Sequence, residues 1–129
     1  MVYSYEYDSA YFGPAIPMVE LEVGVAESEQ TTLILSALVD SGADATMIPV
    51  PYLRQIGADI VDRRQMRSSA SVLYPVDIYA VSLKVGPFSH TAVEVVGNRQ
   101  SNDVILGRDI LNHMIVTLNG LANIVELSQ

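Results

Sequence analysis

Leu38-Val39-Asp40-Ser41-Gly42-Ala43-Asp44-Ala45-Thr46 is the stretch on which the reading of this chain turns, because an apolar strand ends there abruptly in a carboxylate, a hydroxyl and a glycine. The run that delivers it, Thr31 to Val39, is apolar on both faces: Leu33, Leu35, Ala37 and Val39 alternate with Ile34 and Leu38, which predicts a strand in the interior of the fold. Taken alone, Asp-Ser-Gly is ordinary turn chemistry, since Asp and Ser bond nearby backbone and Gly accepts positive φ.

Working outward, the chain alternates short apolar runs with turn signals. Val19, Leu21, Val23 and Val25 share one face and Glu20 and Glu22 the other, predicting a half-buried strand, with Glu27 to Gln30 as its hairpin connection. After the Asp-Ser-Gly segment, Thr46 to Val50 reads as a short strand. Pro51 then opens a helical turn that Gly57 closes. Residues 58–75 are the least regular stretch and read as a mobile loop or a long hairpin. Tyr79 to Val85 and Phe88 to Val96 flank a Gly86-Pro87 turn, and Asp103 to Leu106 is a further short strand. Arg108 to Met114 reads as a helix, and Ile115 to Leu118 meets Leu121 to Leu127 across Asn119-Gly120, a hairpin signal. Tyr3, Tyr5, Tyr7 and Tyr11 alternate before a Gly13-Pro14 break, so residues 1–16 read as an N-terminal arm or edge strand ahead of a domain spanning 17–129. Many short strands with one or two short helices predict an all-β, barrel-like fold.

Composition narrows what such a fold does. At 129 residues there is room for one domain, and 50% hydrophobic against 17% charged residues favours a packed globule. The formal net charge of −8 repels a phosphate backbone, so no nucleic-acid partner is expected, and Arg63, Arg64 and Arg67 read as loop decoration. Without cysteine there is no disulfide, no thiolate nucleophile and no Cys-ligated zinc. No apolar run approaches the roughly 20 residues of a membrane span, and the start lacks the features of an export signal, so a cytoplasmic location is the expectation. There is no G-x-S-x-G, H-E-x-x-H, phosphate-cradling or G-x-G-x-x-G motif, and His90 and His113 read as isolated histidines and not as ligands.

A second segment, Ile105-Leu106-Gly107-Arg108-Asp109-Ile110-Leu111, follows the first some way down the chain. Together, in this order, the two resemble the retropepsin-like aspartic protease family, whose active-site loop is written hydrophobic-hydrophobic-Asp-Thr/Ser-Gly-Ala and whose later hydrophobic-hydrophobic-Gly strand leads into a helix. The resemblance covers roughly residues 17–127 and implies an acid-protease-like closed barrel with one lobe per chain.

Aspartic proteolysis needs two carboxylates sharing a proton, one acting as base towards a water while the other polarises the scissile carbonyl. This chain carries one Asp-Ser-Gly, and neither Asp8-Ser9-Ala10 nor Asn102-Asp103-Val104 offers the glycine a second tight loop needs. The missing carboxylate therefore has to come from a second copy, with Asp40 of each subunit meeting on a two-fold axis. The resemblance implies that Ser41 bonds across that axis, that Gly42 lets substrate backbone approach, and that Ala43 completes the supporting loop. It further implies that Asp44 contacts substrate backbone and pairs with Arg108, bracing the loop against the helix. A hydroxyl at position 43 would stabilise the ionised dyad and alanine cannot, which points to activity at mildly acidic to near-neutral pH. Ala43→Ser should then move the acid limb of a pH–rate profile downward.

Residues 60–78 fall where the family carries its flap, the hairpin that closes over substrate; Ser68, Ser69, Ala70 and Ser71 occupy its tip, Ser69 and Ala70 facing substrate. No glycine lies between Gly57 and Gly86, unlike the glycine-rich tips of retroviral flaps. A second departure is the strand after Asn119-Gly120, where viral enzymes stop after one short interface strand. The implied function is a homodimeric endopeptidase that takes an extended peptide or protein substrate without metal or other cofactor. The alternative is a retropepsin-like dimerisation or peptide-binding module with little or no turnover.

Overall fold

A computed structural model describes residues 1–28, 30 and 33–129. Its strands are β1 (Tyr3–Glu6), β2 (Met18–Val25), β3 (Leu33–Val39), β4 (Met47–Pro49), β5 (Asp59–Arg67), β6 (Leu73–Val85), β7 (Phe88–Asn98), β8 (Ile105–Leu106), β9 (Ile115–Asn119) and β10 (Ile124–Ser128). Two short helices, α1 (Val50–Ile56) and α2 (Arg108–Leu111), complete the elements among the described residues.

The strands form two sheets. One runs β2-β3-β8-β4-β7-β6-β5, and an added β2–β6 pairing bends its first six strands into a closed barrel. This is the all-β, acid-protease-like barrel expected, with one lobe in the chain. β6 makes closure possible by its length: Val81 to Lys84 pair with β2, while Leu73 to Ala80 pair with β5 in a hairpin outside the ring. Val19, Leu21 and Val23 of β2 fill the barrel with Leu35, Ala37 and Val39 of β3 and Val81, Leu83 and Val85 of β6. The second sheet, β1-β10-β9, lies against that core through Val125, Leu127 and Val116, with Tyr3 and Tyr5 of β1 packed beside them.

Several local expectations are corrected. Of the two readings of residues 58–75, the long hairpin holds and the mobile loop does not: β5 and the start of β6 pair in register through most of them. The irregular composition of this stretch reflects a hairpin with almost every β5 side chain in solvent, so no period-two burial is written into it. β3 is buried on one face only, with Ile34 exposed, because its outer side faces away from the barrel interior. Val25, at the end of β2, is likewise exposed. The strand expected over 103–106 shrinks to Ile105–Leu106. α2 ends at Leu111 and not Met114: His113 and Met114 donate to Ile110 and Leu111 three residues back, the tighter turn common at helix ends. The β9–β10 connection is four residues long and not a two-residue turn. Asn119 spends its side chain accepting the N–H of Ala122 at 3.0 Å, and Asn123 takes the left-handed conformation. Of the Glu27–Gln30 connection and the Thr31–Val39 strand, Glu29, Thr31 and Thr32 lie outside the described residues.

α1 matches its punctuation. Pro51 sits in the first turn, and Gly57 adopts φ 74° and returns its N–H to Arg54, a left-handed cap that suits glycine. No helix among the described residues is long and apolar enough to cross a membrane.

Candidate active site

β3 and β4, the strands on either side of the Asp40–Thr46 loop, are not neighbours. β8 lies between them, parallel to β3 through Leu38–Ile105 and Val39–Leu106 and antiparallel to β4 through Met47–Ile105. The loop therefore bridges over the end of β8, and the residues after β8 pass directly beneath it. Gly107 is the point of closest approach. A Cβ built there would stand 2.7 Å from the carbonyl carbon of Ala45 and 3.0 Å from the oxygen of Ala43, both backbone atoms, so any side chain would push the loop off its seat.

From that contact the loop is held by bonds from distant residues. Asp40 donates its N–H to Leu106 O at 3.1 Å, and Arg108 donates its N–H to Ala43 O at 2.9 Å. Thr46 is fully buried, and its hydroxyl donates to Asp109 Oδ1 at 2.8 Å while accepting the Gly107 N–H at 3.1 Å. Asp109 Oδ2 also accepts the Thr46 N–H at 3.1 Å. The Arg108 guanidinium spreads over two acceptors: Nη1 reaches Ser41 O at 2.8 Å and Nη2 pairs with Asp44 Oδ1. Because the Asp44 side chain is 88% exposed, that ion pair adds little stability and acts chiefly to fix geometry.

Inside the loop, Asp40 Oδ1 accepts the N–H of Gly42 at 2.9 Å and Asp40 O accepts that of Ala43 at 3.2 Å, a tight turn that presents the carboxylate. Asp40 is half-buried, and Ser41 and Gly42 are exposed. A Cβ at position 42 would stand 3.2 Å from Asp40 Oδ1, so glycine keeps the approach to the carboxylate open. Asp40, Ser41, Gly42, Ala43, Asp44 and Arg108 thus converge on one loop. Ser69 and Ala70 belong to another element, the exposed tip of the β5–β6 hairpin.

The hairpin meets the end of the loop through a small second apolar cluster, in which Val76, Ile78 and Val96 are buried and Ala45, Met47, Met66 and Tyr74 pack against them. Tyr74 therefore serves the hairpin base. The arginines nearby are paired: Arg63 and Arg99 converge on Asp77 at 3.1 and 3.0 Å, and Arg64 holds Asp62 and Glu94 at 2.9 and 2.7 Å. The two bonds from Arg63 and Arg99 hold the Asp77 carboxyl below its ordinary value.

Sequence reasoning gave Thr46 and Asp109 no role, although both stand inside the two quoted segments. Thr46 follows an exposed turn yet is followed by apolar residues, the position where a hydroxyl has to find a buried partner. His90 and His113, read as isolated, lie with ring centroids 5.1 Å apart, and burial followed by the charge of His113 lowers the pKa of His90. Among the described residues, no group of three or more His, Cys, Asp or Glu side chains could hold a metal ion.

Chemically, the loop offers one positioned carboxylate beside an open glycine. A model of the gag-polyprotein putative aspartyl protease family matches residues 21–113, which include both segments. The fold is similar to that of a retropepsin-like aspartic protease from Rickettsia conorii, with a TM-score of 0.63 at 12% identity over 98% of this chain and 91% of that one. The Simian Foamy Virus (mac) protease aligns with a TM-score of 0.53 at 20% identity over 74% of this chain and 91% of its own. The EIAV protease bound to the inhibitor HBY-793 gives 0.53 at 20% identity over 76% and 86%. At these identities the likeness to the solved structures is one of fold. No curated protein matches the sequence.

Proposed function

The chain belongs to the gag-polyprotein putative aspartyl protease family, and from that premise we propose that it is a homodimeric aspartic endopeptidase in which Asp40 of each subunit activates the hydrolytic water. Residues 17–129 are the protease domain and residues 1–16 its N-terminal edge. The observation that carries this reading is the single Asp40-Ser41-Gly42 loop, braced from below by Gly107, Arg108 and Asp109 with its carboxylate beside an exposed glycine. Bracing on this scale suits a group that must meet its symmetry mate within hydrogen-bond reach.

In this mechanism the two carboxylates share one proton. The ionised one takes a proton from water as that water attacks the scissile carbonyl, and the protonated one donates to the carbonyl oxygen. The resulting gem-diol collapses as a proton passes to the leaving nitrogen, and no covalent enzyme intermediate forms. Substrate lies extended between Gly42 and the hairpin tip at Ser69 and Ala70, with Asp44 contacting its backbone, and it pairs as an added strand. Ser41 bonds across the axis and keeps the carboxylates coplanar.

A binding module without turnover is the second reading, favoured by the hairpin tip, whose Ser68–Ser71 turn closes on itself without glycine. Incubation with a peptide library separates the two. Cleavage by the wild type that is lost in Asp40→Asn, together with inhibition by a statine-type mimic, is the expected result. Peptide binding without cleavage in both proteins would establish the module.

A further inference from the structure

Resting on the peptidase reading above, we propose that the cavity between α1 and the connection over residues 98–102 is an anion site outside the catalytic loop, which takes a carboxylate side chain from an acidic stretch of the peptide substrate. The cavity measures about 420 Å³. Among the described residues, its lining holds two arginines, Arg54 and Arg99, and no acidic side chain, in a chain with 15 acidic residues against 7 basic. Asp103, at the end of the connection, lines a neighbouring cavity with Asp8 and Tyr11.

Neither arginine is neutralised within the chain. The ion pairs among the described residues belong to Arg63, Arg64, Arg99 and Arg108, and Arg54 takes part in none. Arg54 stands one turn after Val50 and Pro51 on α1, on the face they share. Arg99 reaches Asp77 Oδ2 through Nη2 at 3.0 Å, but Arg63 holds the other oxygen at 3.1 Å. Two guanidiniums on one carboxylate leave a net positive charge, and Arg99 keeps donors to spare. The wall between the two arginines is already set. Asn98 is buried, accepts the N–H of Gln100 and of Ser101 at 3.0 and 3.3 Å, and donates to Ser101 Oγ and Asp103 O at 2.9 and 3.2 Å. The connection therefore holds its shape before a ligand arrives, which lowers the cost of binding one.

Position and chemistry select the occupant. Only β4, three residues from Met47 to Pro49, separates the Asp40–Thr46 loop from Val50 at the cavity wall, about 10 Å of strand. An extended peptide held at the loop covers that span in about three residues. Val50 and Pro51 give the cavity an apolar side, which suits the methylenes of a glutamate better than a bare ion. Because a net charge of −8 repels acidic peptides in general, the attraction is local and sets the register in which such a peptide lies.

The test titrates tetraglutamate, tetraglutamine and inorganic phosphate into full-length Asp40→Asn protein, so that no turnover is needed, and reads backbone amide shifts. Tetraglutamate should move the amides around Arg54 and at residues 98–102, and tetraglutamine should not. Arg54→Gln should weaken tetraglutamate binding about tenfold. Gln100→Glu, which adds a carboxylate to the wall, should weaken it too, while Lys84→Gln removes an exposed charge from β6 and should leave it unchanged. Binding that survives Arg54→Gln, or that falls equally in Lys84→Gln, overturns the site. Shifts with phosphate alone would mark a free-ion site and overturn the peptide occupant. In the wild type, glutamates added to the end of a cleaved peptide should lower KM and leave kcat as it was; an unchanged KM overturns the substrate role. A wild type that cuts no peptide overturns the peptidase and that role together, whereas tetraglutamate binding lost in Arg54→Gln would still establish the anion site.

Discussion

The Asp40–Thr46 loop and the Ser68–Val72 tip of the β5–β6 hairpin are both short turns made mostly of small residues, yet they are built in opposite ways. The first is tied by residues more than sixty positions away: Gly107, Arg108 and Asp109 supply its bonds. The second is tied by itself. Ser68 donates its N–H to Val72 O at 2.9 Å, Ser71 donates its own to Ser68 O at 2.9 Å, and Arg67 reaches Ser71 O at 3.1 Å. A turn held from a distance is fixed to the core and rises or falls with it. A turn held locally can move as a unit without disturbing anything else. Chemistry that needs a carboxylate placed to a fraction of an ångström belongs on the first kind, and closing over a substrate belongs on the second.

The contrast breaks most severely at Gly107. Gly107→Ala forces a methyl against the backbone of Ala45, with no flexible side chain to give way, and should lower unfolding stability by about 3 kcal/mol. Denaturant titration measures it, and peptidase activity per folded molecule should fall with it. Thr46→Val keeps the shape and removes the hydroxyl, stranding the Gly107 N–H and leaving Asp109 Oδ1 with only the Ile110 N–H. A loss of about 1–3 kcal/mol is expected, again with reduced turnover. If either variant left the loop's activity untouched, the loop would not depend on its distant partners.

On the hairpin side the effects are smaller and separable. Asp77 is held below its ordinary value by Arg63 first and Arg99 second, so its contribution to stability is present above the unfolded carboxylate value and is lost as pH falls through the lowered folded one. Asp77→Asn should therefore flatten the stability–pH curve below pH about 4, which acid titration followed by circular dichroism reads directly. Smallest of all is Ser71→Gly. Ser71 holds φ 61°, where glycine is at ease, so the change should raise stability by less than about 1 kcal/mol. Hydrogen exchange should slow at residues 68–72 and stay unchanged at 40–46; slower exchange in both would show that the two turns are coupled.

The two turns also differ in how legible they are. The Asp-Ser-Gly motif and the later Leu106-Gly107-Arg108 step stand out because their residue types answer to backbone demands that recur wherever this loop is built: a carboxylate at a strand end, a glycine under a passing chain. The hairpin is legible only as one of two readings, because Asp59 to Arg67 lies almost wholly in solvent and nothing selects its side chains by period. Asn119-Gly120 marks the β9–β10 hairpin correctly and misleads only on the length of its turn. Its dipeptide favours a two-residue turn, and the side-chain bond from Asn119 to Ala122 wins instead.

From the residues alone came the barrel class, the run of short strands, the cap at Gly57 and the turn at Asp40-Ser41-Gly42, each set by local pattern: alternation, proline and glycine stereochemistry, or a strand that ends in polar atoms. Only the folded chain decided that β8 enters between β3 and β4, that Thr46 and Asp109 lock together under the loop, and that His90 meets His113. Those are pairings between residues far apart in sequence, and no local preference encodes them. They follow from how one long strand, β6, reaches back to β2 and closes the ring.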